Sequence, residues 1–461
     1  MNRIPSLSLL WILALPFAPA VPTLAQAQGP TYVVQSGDSC GFIAASFGVS
    51  LDEIIRVNGL DAACLIHPGD RLILPGLEGI AGIIATKTVD LGENYATLSL
   101  RYGMTRDALY RLNHVVNPER MMAGQPVVVT EPEDGSPGET RYETGRVLST
   151  SLGTPLVALA AAAGRNPWEL AALNGLSSMA DQFSGQTVIV TGGETPLRAW
   201  PDGLNEVRFR SLPLVQGSTE EISLAVPADA QAEGYLGDWL LRFRDTGSGL
   251  VALQGIDVTA APGNYLFSVR VALADGRTIT YQQDVSLVRG VFNSKTLNVP
   301  NPETLDPAII QADYNRMRQV VTTFSETRYW QNLFVPPFAY GYSDTFGTWR
   351  SYNGGLLVSQ HRGVDFYAKE KAPILAPAAG RVAFTAPDSQ MEICGNTVVL
   401  DHGWGVFTRY CHLSEIRVQA EEIIQAGQEI GLVGRTGRAD GPHLHWEVWV
   451  GGVQVDPEQW L

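Results

Sequence analysis

From residue 31 to 191 the apolar positions recur three times at one spacing. Gly48, Gly103 and Gly164 each close a predicted first helix, and an asparagine stands ten residues on: Asn58, Asn113 and Asn174. A glycine follows 21 residues after the first, at Gly69, Gly124 and Gly185. Apolar residues fall between them at a helical spacing, Ile54 with Val57, Leu109 with Leu112, and Leu170 with Leu173. Three apolar residues then end each unit: Leu72-Ile73-Leu74, Val127-Val128-Val129 and Val188-Ile189-Val190. A spacing kept without insertion marks a repeat. Each copy reads strand, helix, helix, strand. In the first, Tyr32-Val33-Val34 opens the unit and Phe42 to Phe47 suits a short helix that Gly48 can end at positive φ. Ser50 and Glu53 read as a capping box, and Asn166-Pro167 with Glu169 as a helix start. The units span 31–76, 86–131 and 142–192, with the acidic stretch EPEDGSPGETR, from Glu131, before the third.

The pattern then changes. Between 200 and 295 it alternates in short runs (EVRFR, EISLAV, DWLLRF, NYLFSVRVAL, TITYQQDVSLV) broken by DTGSG, APGN and ADGR. That reads as a β-sandwich, with no catalytic constellation and a packing or spacing role. A helical connector is expected over 300–335, with Asp306 capping a helix that begins at Pro307 and runs to about Phe324. From 336 to 461 strand-like runs joined by Gly-rich turns predict an antiparallel β-domain. The fold class is therefore multidomain: three small βααβ units, a β-sandwich and a C-terminal antiparallel β-domain.

At 461 residues the chain exceeds what one core supports, in keeping with several domains. A net charge of −15 without a basic block excludes nucleic acid as a partner of the whole chain. Arg3, the apolar stretch Leu7–Phe17 and Ala25-Gln26-Ala27 read as a signal peptide over 1–27, so a secreted product is expected. The alternative, a membrane anchor, is short for a bilayer span and broken by Pro16, Pro19 and Pro22, and no later transmembrane run appears. An exported chain keeps disulfides. Its four cysteines fit two local bridges, Cys40–Cys64 and Cys394–Cys411, with buried free thiols as the alternative.

Five of the seven histidines lie between 361 and 445. In HRGVD, His361 and Asp365 are spaced for one helix face. Gly363 and the Val-Asp-Phe-Tyr run favour a strand or extended loop, where even offsets also share a face. In GPHLHWEVW a strand puts His443, His445, Glu447 and Trp449 on one side and Leu444, Trp446, Val448 and Val450 on the core side. Taken alone, the two imidazoles fit a site or a half-exposed surface equally well. RYCHLS places His412 on or just beyond a strand. His402, in a D-H-G turn, reads as structural.

Two resemblances give these patterns a chemistry. YVVQSGDS…IAASFGVSLDEIIRVNGL…IHPGDRLILP resembles the LysM module; TVDLGENY and GRVLSTSLG depart from it at the openings of the second and third copies. The resemblance implies binding of N-acetylglucosamine glycans such as peptidoglycan, in a groove between the first helix and the second loop. HRGVD, YCHLSEI and GRTGRADGPHLHWEV together resemble the lysostaphin-like (LytM-type) zinc peptidases, over about residues 335–461. That resemblance implies one Zn2+ held by His361, Asp365 and His445, with His412 and His443 as catalytic histidines beside it. It makes Tyr352 a candidate oxyanion donor and Asn396 a candidate groove residue. The expected protein is a secreted zinc endopeptidase that cuts peptidoglycan cross-link peptides. A noncatalytic peptidoglycan-binding regulator or adhesin is the alternative.

Overall fold

The computed structural model describes residues 29–118, 120–133, 142, 144–149, 155–174, 176, 187–299, 302–339 and 341–461. The predicted signal peptide, Gly185 and most of the acidic stretch lie outside them. The described chain forms two compact units, 29–84 with 130–133, and the remainder.

In the first unit strand Thr31–Val33 pairs antiparallel with Arg71–Ile73, and helices Cys40–Phe47 and Leu51–Val57 lie between them in sequence. Ile43, Ile54, Leu72 and Leu74 form its core. Gly48 ends the first helix in the left-handed region, at φ 63°. Ser50 Oγ accepts from Glu53 N–H, but the return bond of a capping box is absent among the described contacts. The reciprocal box occurs in the second copy, between Asn94 and Thr97.

The asparagine that recurs in the sequence has one task in all three copies. Asn58 Nδ2 donates to Ile54 O and Ile73 O, both 2.9 Å, and Oδ1 accepts from Ile73 N–H at 2.7 Å. Asn113 bridges Leu109 and Val128 in the same way, and Asn174 bridges Leu170 and Ile189. The amide thus ties the second helix to the closing strand and satisfies backbone groups that neither element serves.

Residues 206–288 form two sheets around one core. One runs, in spatial order, Trp239–Arg242, Gln231–Leu236, Gly263–Ala272, Thr278–Val288 and Leu214–Val215; the other Arg244–Asp245, Leu250–Gly255, Thr219–Ala225 and Glu206–Phe209. Their inward positions, among them Ile222, Leu236, Phe267 and Val269, are buried together.

The C-terminal region is built on a ten-stranded sheet. At its centre lie Val364–Tyr367, His443–Val450, Val406–Ile416 and Asn396–Gly403, each antiparallel to the next. Leu444, Trp446, Val448 and Val450 face one core with Tyr410, Val398 and Leu400. The other face packs Trp449, Phe407 and Val399 against Met317 and Val321 of helix Pro307–Val321. That helix ends three residues before the predicted Phe324 and covers the far end of the face that carries the histidines.

Candidate metal centre

The sheet register sets Asp365 opposite His445. Val364 and Trp446 bury in the core, so their alternating neighbours Asp365 and His445 must take the other face. His361 follows strand Leu357–Gln360, and its N–H donates to Thr348 O at 2.9 Å. Gly363 lets this turn approach the histidine strand. A Cβ there would stand 2.4 Å from Trp446 O and 2.9 Å from the His445 ring. The HRGVD motif is therefore a turn into a strand, not a helix face.

Three side-chain atoms converge. His361 Nε2 lies 3.1 Å from Asp365 Oδ1 and 3.0 Å from His445 Nδ1, and the last two are 2.7 Å apart. Their outer atoms already have partners. His361 Nδ1 lies 3.0 Å from Thr345 O, a carbonyl that can only accept, so Nδ1 carries the proton. His445 Nε2 donates to Glu447 Oε1 at 3.1 Å. Asp365 Oδ2 accepts from Arg350 Nη2 at 2.9 Å, and Arg350 also holds Asp344 at 2.6 Å. Three lone-pair donors are left facing each other in a buried spot. Such a set repels itself until a cation or proton sits among them. Two imidazoles and a carboxylate are zinc donors, and three protein ligands leave one position open. The residues fit a zinc ion.

The electrostatics agree. Burial opposes charge on Asp365, but His361 and His445 outweigh it and hold the carboxyl well below its usual range. Burial lowers the pKa of His361. On His445 burial acts the same way, yet Asp365 and Glu447 raise the pKa above normal, the signature of negative potential at that ring. Glu447 is itself held at about 2: burial opposes its charge, and Arg409 and His445 prevail.

His412 and His443 stand beside this triad. Their rings are 4.6 Å apart, and the His412 ring is 6.0 Å from that of His445. His412 sits at φ 63° where the strand pairing slips, with its N–H donating to Cys394 O at 2.7 Å. A left-handed histidine costs on the order of 1 kcal/mol and belongs to places where direction matters. His412 Nδ1 donates to Thr436 O (2.8 Å) and His443 Nδ1 to Gly441 O (2.9 Å), which leaves Nε2 of each unprotonated in the neutral ring. His443 Nε2 is 4.0 Å from Asp365 Oδ1. Burial, reinforced by His443 and His445, pushes the pKa of His412 well below normal, so it is neutral at pH 7. Four of these five groups, Asp365, His412, His443 and His445, border one cleft of about 380 Å³, and the buried His361 does not line it.

Tyr352 also lines the cleft, with its hydroxyl 2.9 Å from Ser359 Oγ. Asn396 does not reach the cleft. Its Oδ1 accepts from Asp388 N–H and its Nδ2 donates to Leu413 O, so the side chain serves the scaffold. Cys394 and Cys411 form a disulfide, which removes Cys411 as a thiol ligand and braces the strand just before His412; Cys40 and Cys64 form the other bridge. His402 is buried, with Nδ1 on Ala379 O and Nε2 on Thr408 Oγ1. Sequence reasoning assigned no role to Arg350 or Glu447. Glu447 was visible as the next residue on the histidine face. Arg350 carried no signal of its own in the sequence.

Comparison with known proteins agrees with this geometry. Residues 359–457 match the model of peptidase family M23, so the C-terminal region is an M23 domain of the LytM type. Residues 32–75 and 88–130 match the LysM domain, and the chain thus joins two LysM domains to an M23 domain. Residues 142–192 keep the helix order and the asparagine bridge outside those matched stretches. The DD-carboxypeptidase/endopeptidase Mpg of Neisseria meningitidis is 38% identical over 121 residues, 26% of this chain and 25% of that protein. The peptidoglycan DD-endopeptidase ShyA of Vibrio cholerae is 41% identical over 99 residues, 22% of each. The chain thus spans about a quarter of the length of these relatives. A solved M23-type structure from Pseudomonas aeruginosa is 26% identical, with a TM-score of 0.42, over 54% of this chain and 94% of that one.

Proposed function

We propose that this chain is an exported zinc endopeptidase that hydrolyses peptide bonds of peptidoglycan cross-links and is held on the wall glycan by LysM binding. The convergence of His361, Asp365 and His445 beside two histidines with free Nε2 atoms carries the reading. His361 Nε2, Asp365 Oδ1 and His445 Nδ1 would hold the zinc. When bound, zinc supplies Lewis acidity and lowers the pKa of a water at its open position to about 7. His412 acts as general base: its ring is neutral and its Nε2 faces the cleft. His443 polarises the scissile carbonyl or returns the proton to the leaving amine, and exchange of these two roles leaves the chemistry unchanged. Glu447 and Arg350 orient the ligands. Tyr352, which lines the same cleft, is the candidate for a further oxyanion contact. Residues 1–27 supply the export signal in this reading, and no described helix is long and apolar enough to cross a membrane.

Glycan binding falls to the first LysM unit. Its repeat positions Gly37 and Gly69 have open space where a Cβ would stand. At the matching positions of the second unit, a Cβ on Gly92 would meet the Trp200 ring at 2.9 Å and one on Gly124 would meet Pro213 at 2.8 Å. Gly92 N–H also donates to Tyr281 and Gln283 of the central sheets. The second unit therefore serves as a packing element.

Digestion of purified peptidoglycan by the zinc-loaded full chain, read by mass spectrometry, tests the reading. Wild type should release uncross-linked peptides. His445→Ala should lose both zinc and turnover, whereas His443→Ala should lose turnover and keep zinc. Equal turnover by wild type and His445→Ala would refute the enzyme reading in favour of a noncatalytic binder.

A further inference from the structure

The cleft beside the metal centre contains cations that the protein leaves unpaired. Arg438 lies on the loop leading into His443. Its N–H donates to Ile393 O at 2.9 Å, its Nη1 donates to Thr304 O at 3.1 Å, and its Cζ stands 5.5 Å above the Tyr352 ring. The last two contacts place the guanidinium in the cleft wall. Its Nε and Nη2 have no hydrogen-bond partner, and no carboxylate oxygen lies within 4.0 Å, among the described residues. Asp313, the acid that acts on it through space, instead accepts from the N–H groups of Ile393 and Cys394. Burial lowers the pKa of Arg438, as expected for a cation drawn out of water without an ion pair.

Lys295, which is exposed to solvent, borders the same cleft. Its Nζ donates to Ser343 O at 3.2 Å and likewise has no carboxylate within 4.0 Å among the described residues. The other two cations of the cleft are neutralised, Arg350 by Asp344 and Asp365, and Arg409 by Glu447. Asp440 also lines the cleft and pairs with neither Lys295 nor Arg438. Acidic residues outnumber basic ones 47 to 32 in this chain, so unpaired cations do not follow from a shortage of carboxylates. The free Nε–Nη2 edge is the fork that takes a carboxylate through two parallel hydrogen bonds.

We propose that Arg438, assisted by Lys295, binds a carboxylate of the peptide substrate, so that the cleft selects peptides with a free carboxylate near the scissile bond. The assignment rests on the endopeptidase reading and adds its specificity. A charge-assisted hydrogen bond of this kind is worth about 10- to 100-fold in affinity.

The test uses two synthetic cross-linked stem peptides of one sequence, one with free carboxylates and one with them amidated. The zinc-loaded full chain should favour the free form by about tenfold or more in kcat/KM, mainly through KM. Arg438→Gln should lose about 10- to 100-fold on the free form and less than about threefold on the amidated one, with Arg438→Lys between. Equal loss on both peptides, or no preference in wild type, overturns the proposal. Binding of both peptides to the His412→Ala chain, by fluorescence anisotropy, separates the two readings. If wild type cleaves neither peptide, the endopeptidase reading fails. A binding preference for the free form that Arg438→Gln abolishes would still support the anchor, and its absence would overturn it.

Discussion

His402 makes the stability of the M23 domain depend on pH in a way that can be calculated. The ring is buried, packs 4.8 Å from Phe334, and uses both nitrogens on Ala379 O and Thr408 Oγ1. Burial depresses its pKa from 6.5 to about 4. A histidine depressed in the fold is neutral there while the unfolded chain takes up a proton. Its contribution is complete above pH 6.5 and falls as pH drops from 6.5 towards 4. Integrated over that shift, wild type should lose about 2.5 kcal/mol between pH 7.5 and 4.5 from this residue alone. His402→Gln removes the titration. At pH 7.5 the variant should be less stable by about 1–3 kcal/mol, because one of the two hydrogen bonds cannot be kept. Acidification should then shrink the gap by about 2.5 kcal/mol, since all other titrating groups are shared. Native-state hydrogen exchange in denaturant, followed by mass spectrometry on peptides spanning 396–416 of the full chain, measures the gap at each pH. A gap constant within about 0.5 kcal/mol across the window would refute the assignment of a neutral, buried His402.

Gly363→Ala should displace the His445 ring and lower bound zinc per chain at least tenfold in a metal-competition titration; wild-type affinity would show that the contact at Gly363 is not limiting. Glu447→Gln removes the carboxylate that fixes the His445 tautomer and should weaken zinc about 10- to 100-fold, again by competition with a chelator. Phe42 and Leu65 are exposed on the first LysM unit, so Phe42→Ser should cut retention of the full chain on insoluble peptidoglycan about fivefold if that unit carries the glycan contact. Unchanged retention would move the contact elsewhere.

The sequence showed where the chemistry lies more readily than how it is braced. Alternation in HLHWEVWV was enough to put His443 and His445 on one face, because burying Leu444 and Trp446 leaves a strand no other choice. The repeat spacing likewise exposed Asn58, Asn113 and Asn174 as equivalents. Their task was hidden, because each bridges to a backbone 15 residues away, a relation that exists only once helix and strand meet. Arg350 was illegible for the same reason: it reaches Asp365 from another sheet, 15 residues earlier in the chain. Asn396 misled in the opposite direction. It lies close in sequence to Cys394 and Gly395, yet its amide has both ends taken by backbone. Short-range pattern reports which face a side chain takes; it does not report which of its atoms remain free.

Those free atoms distinguish His445 from the other histidines of the cluster. A carbonyl can only accept, so Thr345, Thr436 and Gly441 each fix a proton on Nδ1 of His361, His412 and His443 and leave Nε2 open. His445 is the exception, because its Nε2 meets the Glu447 carboxylate and its Nδ1 is the atom that faces Asp365. A carboxylate makes its imidazole more basic, which suits a metal ligand. A carbonyl leaves the ring nearer its intrinsic basicity, and burial then keeps His412 neutral and able to accept a proton. One strand thus gives His443 and His445 different outer partners, a carbonyl and a carboxylate. His412 has the backbone carbonyl of Thr436 as the outer partner of its Nδ1, and it keeps the neutral ring that a base needs.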